Sequence, residues 1–286
     1  MPRSSSDADS RCLLLALSHD ELGVIVDGLA DPLQPVVAVA FSSTCKGLRT
    51  PLQAALEVLK ERHGRAAILC RKLQMSCAAL SDAEELYWTN ECFADDDMAT
   101  FVMILLTNGL LRLQALHLPF NRFGDAGVQG LCEGLGRGCA PALRFLYLND
   151  NQVGPAGAEA LAAALRRGAM PKLETLLLQG NPIGNQGMAA LAAPLRKFPK
   201  LKTLHLVDCE IGDEGVASLV NNLGKDDFKA LEMLGLQGNN MTDAGAATII
   251  AAIDAGGIPM LKSVHLVDNS IASARQRDVE SAIQRR

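Results

Sequence analysis

Aromatic side chains are scarce: 4% of 286 residues, with one tryptophan and two tyrosines. That argues against a single core built around large rings. It suits stacked small units rich in Ala, Leu and Gly. Basic stripes are also missing. The net charge is −5 and the pI about 5.6, which speaks against a nucleic-acid partner. No apolar run approaches the ~20 residues that span a bilayer, so no membrane association is expected. The apolar run Cys12–Leu17 is too short for a signal peptide and follows acidic residues. The expectation is an intracellular protein, of the cytoplasm or nucleus. Eight cysteines are present without a CxxC pair or a disulfide-like framework, and are read as buried, reduced thiols. No GxxxxGK phosphate loop and no set of metal ligands occurs. Neither a cofactor nor a metal is expected.

What is present is a repeat. Leu-x-x-Leu-x-Leu-x-x-Asn-x-Ile-Gly recurs from residues 113, 143, 173, 201, 231 and 261, in steps of 30, 30, 28, 30 and 30 residues. One step back reaches Ala83, where Leu86, Trp88 and Phe93 fill the apolar slots and Glu91 stands in place of Asn. Seven units therefore occupy 83–286, and a fixed period over so much chain signals a solenoid. Within each unit Leu-x-Leu alternates with the period of a strand. The Asn that follows (Asn121, Asn151, Asn181, Asn239, Asn269; Cys209 in one unit) has donors and an acceptor for an otherwise unpaired turn backbone. After the second glycine, Leu131/Leu135, Leu161/Leu165, Leu191/Leu195, Leu219/Leu223 and Ile249/Ile253 trace a helical stripe. Phe101/Leu105 and Val279/Ile283 continue it in the first and last units. The last helix, from Ala274 to Arg286, is polar on its outer side.

These units resemble the ribonuclease-inhibitor class of leucine-rich repeats, shared with the Ran GTPase-activating protein and innate-immune receptors. The resemblance implies an α/β fold: a right-handed horseshoe with parallel strands on the concave face and helices on the convex face.

Residues between the strand leucines face outward and stack in columns. The second position reads Arg144, Glu174, Lys202, Glu232, Lys262, alternating in sign, which predicts a register-fixing ladder of ion pairs. The third reads Glu85, Ala115, Phe145, Thr175, Thr203, Met233, Ser263, and the fifth Tyr87, His117, Tyr147, Leu177, His205, Gly235, His265. Both tyrosines fall in the fifth. Aromatics gathered on one surface are typical anchors of a protein partner. The candidate binding set is Tyr87, His117, Phe120, Phe145, Tyr147, Leu177, His205, Asp208, Met233, His265 and Asp268. Thr203-His205-Asp208 and Ser263-His265-Asp268 imitate catalytic triads but recur only because the repeat does, so no catalytic residue is assigned. Histidines two strands apart, about 10 Å, are too distant to share a zinc ion.

Ahead of the repeats, residues 1–11 are expected to be a disordered tail and 12–80 an all-helical segment. Its helices are expected from Ser18 or Asp20 to Leu29, from Val36 to Leu48, from Thr50-Pro51 to near Gly64, and from Ala66 to Met75. Glu21, Leu22, Ile25, Leu29, Pro32, Cys45 and Leu48 make this stretch resemble an F-box, although Ser18-His19 replaces the family's Leu-Pro. A helical cap that shields the first repeat is the plainer reading.

The expected function is a non-enzymatic, monomeric scaffold that binds a protein partner on the concave face. Two alternatives come from resemblance. One is a substrate adaptor that reaches a ubiquitin-ligase linker protein through the F-box-like segment. The other is a small-GTPase regulator, by analogy with the Ran activator.

Overall fold

The structure is a computed structural model and describes residues 18, 21, 22, 24, 25, 29–43 and 52–285. It divides into two units after Ser81. The expected tail, the Thr50-Pro51 helix start and residues 44–48 of the helix expected from Val36 to Leu48 lie outside the described residues.

In the first unit, Ser18 and Glu21 form a reciprocal cap. Glu21 N donates to Ser18 Oγ (3.2 Å) and Ser18 N donates to Glu21 Oε2 (2.8 Å). Glu21, Leu22, Val24, Ile25 and Leu29 are helical. Asp31 accepts from Leu33 N at 2.7 Å, turning the chain at Pro32. Helices α1 (Val36–Ser43), α2 (Gln53–Lys72) and α3 (Cys77–Ser81) follow. The break expected at Gly64 does not occur, and two expected helices are one. A mid-helix glycine costs about 1 kcal/mol. Leu59 on one side of it and Ala66, Leu69 and Cys70 on the other are all buried along α2. Burying side chains of leucine size contributes about 1.5–3 kcal/mol each, more than the glycine costs.

The second unit is a solenoid of strand–helix pairs. Seven strands form one sheet in sequence order: β1 (Glu85–Tyr87), β2 (Ala115–His117), β3 (Phe145–Tyr147), β4 (Thr175–Leu177), β5 (Thr203–His205), β6 (Met233–Gly235) and β7 (Ser263–His265). All neighbours pair in parallel and in register, so the fourth residues of the units, from Leu86 to Val264, form one buried row. Between and after them run α4 (Asp95–Asn108), α5 (Asp125–Gly136), α6 (Pro155–Arg166), α7 (Gly184–Arg196), α8 (Asp213–Val220), α9 (Asp243–Asp254) and α10 (Ser273–Gln284). Each helix buries its expected stripe, except in α10, where Val279 is buried but Ile283 only half-buried, and in α8. That helix ends at Val220 and leaves Leu223 outside it. Arg196 of the preceding helix donates to the carbonyls of Leu219 (2.9 Å) and Ser218, satisfying α8's last turn, and Asn221 is extended.

Two side-chain ladders fasten successive units. In the first, the expected asparagines reach backward. Asn239 donates to the carbonyls of Leu206 (2.6 Å), Leu236 and Gln237, and accepts from Cys209 N and Ile211 N. Asn121 bridges the first and second repeats of the solenoid in the same way. The second ladder reaches forward and was not expected. In most units a residue at the start of the helix accepts from the turn of the next unit. Asp125 Oδ1 takes Gly154 N (2.7 Å) and Gly157 N (2.8 Å); Asp95, Asn185 and Asp213 repeat the pattern. This explains the second glycine of the repeat: a Cβ on Gly157 would lie 2.7 Å from Asp125 Oδ1.

Both ladders lapse at one turn. Pro155 opens α6 and offers no side-chain acceptor. Cys209, in the asparagine slot, donates through its thiol to Leu178 O (3.3 Å) but brings no carbonyl. The turn between them changes shape: Ile183 N folds onto Asn181 O (2.7 Å), Gly184 takes φ +64°, and α7 starts at Gly184 itself. Burial pushes the Cys209 thiol up to about 12, keeping it a neutral donor.

The joins between helix and next unit vary in length. Six residues, 137–142 and 167–172, follow α5 and α6; four, 197–200, follow α7; ten, 221–230, follow α8. The longest is pinned by Asp227, a buried carboxylate 2.6 Å from Lys197 Nζ that also accepts from Gly224 N.

Candidate functional site

The outward columns stand where the alternation puts them, on the open face of the sheet. The second-position ladder forms in part. Glu174 binds both Arg144 (2.7 Å) and Lys202 (2.9 Å), and Glu232 binds Lys262 (2.6 Å); no ion pair joins Lys202 to Glu232. Hydrogen bonds from Arg144 and Lys202 hold the Glu174 carboxyl down to about 2.

In the fifth column the first three units build a stack. Tyr87 and His117 lie face to face, with ring centroids 4.3 Å apart, and His117 meets Tyr147 edge-on at 4.2 Å. Parallel register places these rings on adjacent strands, and the spacing suits aromatic pairs. Burial holds the His117 imidazole below its ordinary pKa against the opposing pull of Glu85, so the middle ring is neutral at physiological pH. The Tyr87 hydroxyl donates to the Glu85 carboxylate. Phe145, two residues before Tyr147, carries the Arg144 guanidinium 5.1 Å above its ring.

Phe120 completes the group, by a feature the repeat alignment alone did not disclose. The eighth residue of every unit is left-handed: Asn90, Phe120, Asp150, Gly180, Asp208, Gly238 and Asp268 have φ between 50° and 67°. Glycine, asparagine and aspartate adopt this conformation at small cost, whereas a bulky residue there is strained. Phe120 is the exception among the seven, and it is 56% exposed. The recurrence of Asn, Asp or Gly at that slot was visible in the sequence and could have revealed it.

Toward the other end the face changes character. Leu177 is half-buried beside Tyr147 and His205. His205 Nε2 lies 3.2 Å from Met233 Sδ, and His265 Nδ1 lies 3.1 Å from Gln237 Nε2. These contacts are not those of a triad: neither ring is hydrogen-bonded to a hydroxyl or carboxylate of its own strand. Asp208 and Asp268 are exposed at their turns. The Asp208 carboxyl covers the space a Cβ on Gly238 would need, which gives a reason for the alternation of Asp and Gly along this row. Among the described residues, no cluster of side chains could hold a metal ion, and no helix is long and apolar enough to cross a membrane.

The F-box-like residues are largely committed to the first unit's own packing. Leu22 packs with Leu52, and Leu29 against Ala30, Ala38 and Leu59. Pro32 is buried, its carbonyl 2.7 Å from His63 Nδ1. Glu21 serves the cap, Ile25 is half-buried, and Cys45 and Leu48 lie outside the described residues. Among the described residues of this unit, the exposed large apolar side chains are others: Val24, Val36, Val37, Val39, Val58 and Ile68.

Compared with known families, residues 113–132, 141–162, 169–192 and 199–220 match the leucine-rich repeat family model. These are the second to fifth strand–helix units. No curated protein matches the sequence.

Proposed function

We propose that the leucine-rich repeats of this chain, which resemble the ribonuclease-inhibitor class, are a non-enzymatic scaffold whose open sheet face binds a protein. Tyr87, His117, Phe120, Phe145 and Tyr147 are its anchors. Leu177, His205, Asp208, Met233, His265 and Asp268 extend the footprint along the later strands. The observation that carries this reading is Phe120, a large apolar side chain kept exposed on a strained backbone. Strain of this kind persists where it serves a function, and Phe120 stands at the end of the aromatic strands. Proximity labelling from the full chain, compared with a Tyr87→Ala/Tyr147→Ala variant, tests it. A set of neighbours lost from the variant is expected; an unchanged set overturns the reading.

A second reading is supported by the exposed valines of the first unit. Val36, Val37 and Val39 form an apolar surface on α1 of the kind that docks a partner, as a ubiquitin-ligase adaptor would require. Co-purification of a ligase linker protein with the full chain, lost on Val36→Asp/Val37→Asp, would support it. Failure of the unmodified chain to recruit the linker removes it.

A further inference from the structure

The charge on the open face is one-sided. Arg144, Lys202 and Lys262 in the second column are each paired with a glutamate. The outward third, fifth, seventh and eighth positions of all seven units contain no lysine or arginine, while four carboxylates stand there: Glu85, Asp150, Asp208 and Asp268. Among the described residues, none of these four forms an ion pair. The three aspartates belong to the units of β3, β5 and β7, because the units between them carry glycine at the eighth position. They therefore repeat every second strand, about 10 Å at ~4.8 Å per strand. At the other end of the face, Glu85 accepts from the Tyr87 hydroxyl at the edge of the Tyr87–His117–Tyr147 stack, which combines aromatic faces with a carboxylate, a composition that receives a cation.

We infer that the occupant of this face is an extended, basic segment of the partner protein, lying across the strands. One arginine or lysine rests on the Tyr87–His117–Tyr147 rings beside Glu85. Others follow at every third residue, over Asp150, Asp208 and Asp268. The spacing argument is geometric: a polyproline-II segment rises about 3.1 Å per residue with three residues per turn. Every third side chain then lies on one face and recurs at about 9 Å, close to the spacing of the aspartates. A helix would bring residues four apart to the same face only about 6 Å apart, and would miss alternate carboxylates. This inference rests on the sheet face being the partner-binding surface, and adds the chemistry of what it binds.

The test is fluorescence anisotropy of the full chain with labelled twelve-residue probes: (Arg-Pro-Pro)4, (Glu-Pro-Pro)4, and a peptide of the first composition with its arginines contiguous. The spaced basic peptide is expected to bind tightest, and to lose affinity as salt rises from about 50 to about 200 mM. Asp150→Asn/Asp208→Asn/Asp268→Asn is expected to weaken it tenfold or more, and Tyr87→Ala/Tyr147→Ala to a similar degree. Asparagine keeps the shape of aspartate and tolerates the left-handed backbone, and unchanged thermal unfolding will show that the variants fold. No binding, equal binding of the acidic peptide or of the contiguous one, or indifference to the triple substitution overturns the inference. If the basic peptide fails while the tyrosine variant still loses neighbours in proximity labelling, the face binds a partner of other chemistry. If both fail, the face is not the binding surface.

Discussion

Units one to three and units five to seven share one backbone and present different surfaces on it. Strand register and the left-handed eighth residue are the same at both ends, and asparagines bridge neighbouring units at each. Beneath the early strands, however, Trp88 stacks on Phe93 at 5.5 Å and meets Phe101 edge-on at 4.9 Å, and Phe93 meets Phe123. Above them stand Tyr87, Tyr147 and Phe145. The late units replace these with aliphatic residues below and with His, Gly and Gln above. The difference separates two tasks. Backbone hydrogen-bond satisfaction dictates the residues common to all units, and the residues free of that duty carry the individuality of each region. The few aromatics of the chain are concentrated where the open face is most apolar.

Four tests would break or sharpen this contrast. The largest effect is expected from Phe101→Ala, about 4 kcal/mol, because it removes the ring against which Trp88 packs and leaves a cavity. Leu191→Ala, the same slot in a later unit, should cost less in chemical denaturation; equal costs would mean the aromatic cluster confers no special stability. Next, Asn239→Ala strands buried carbonyls and the N–H groups of Cys209 and Ile211, and should cost about 3 kcal/mol. Cys209→Ala, where the ladder has already lapsed, should cost nearer 1 kcal/mol. A reversal of that order would show that the thiol bonds matter more than the amide's. Third, Glu174→Gln should cost about 1 kcal/mol at neutral pH by removing two ion pairs. Because the folded carboxyl is held down to about 2, its stabilisation is present above the ordinary carboxylate pKa of 4.5 and fades as pH falls through about 2. The gap between wild type and variant in acid denaturation should close over that window. The smallest effect has the opposite sign. Phe120→Asn should raise stability by about 0.5 kcal/mol, by placing a residue that tolerates the left-handed backbone, while reducing partner capture. A loss of stability would mean the ring packs rather than presents.

Much of this was legible in the sequence because a repeat is its own alignment. The strand residues, the outward columns and the asparagines that satisfy turn backbone follow from period two and from the chemistry of an amide; their reach back to the preceding repeat does not. The forward ladder was missed because Asp95, Asp125 and Asp213 open helices, where an acidic residue already has a sufficient explanation in the helix dipole. Only geometry shows their carboxylates crossing to the next turn. The early end of α8 was missed for a related reason. Leu219/Leu223 has helical spacing, but the turn is closed by Arg196 from another helix, which no local pattern encodes. In the first unit Gly64 misled because glycine marks helix ends only when nothing on both sides is buried together. Along the face, residue identities named the aromatics, but the stacking of His117 between two tyrosines needed the register.

The variable joins after α5 to α8 have a consequence for how such a chain can change. From the strand to the second glycine, both ladders fix the count of residues, so one inserted amino acid there would carry Asn239 or Asp213 out of reach of its bonds. Between a helix and the start of the next repeat, lengths of four, six and ten residues coexist in one molecule. The solenoid thus has a reading frame that is reset once per unit. Additions and losses are absorbed at 137–142, 167–172, 197–200 and 221–230, and the face opposite those joins keeps its phase.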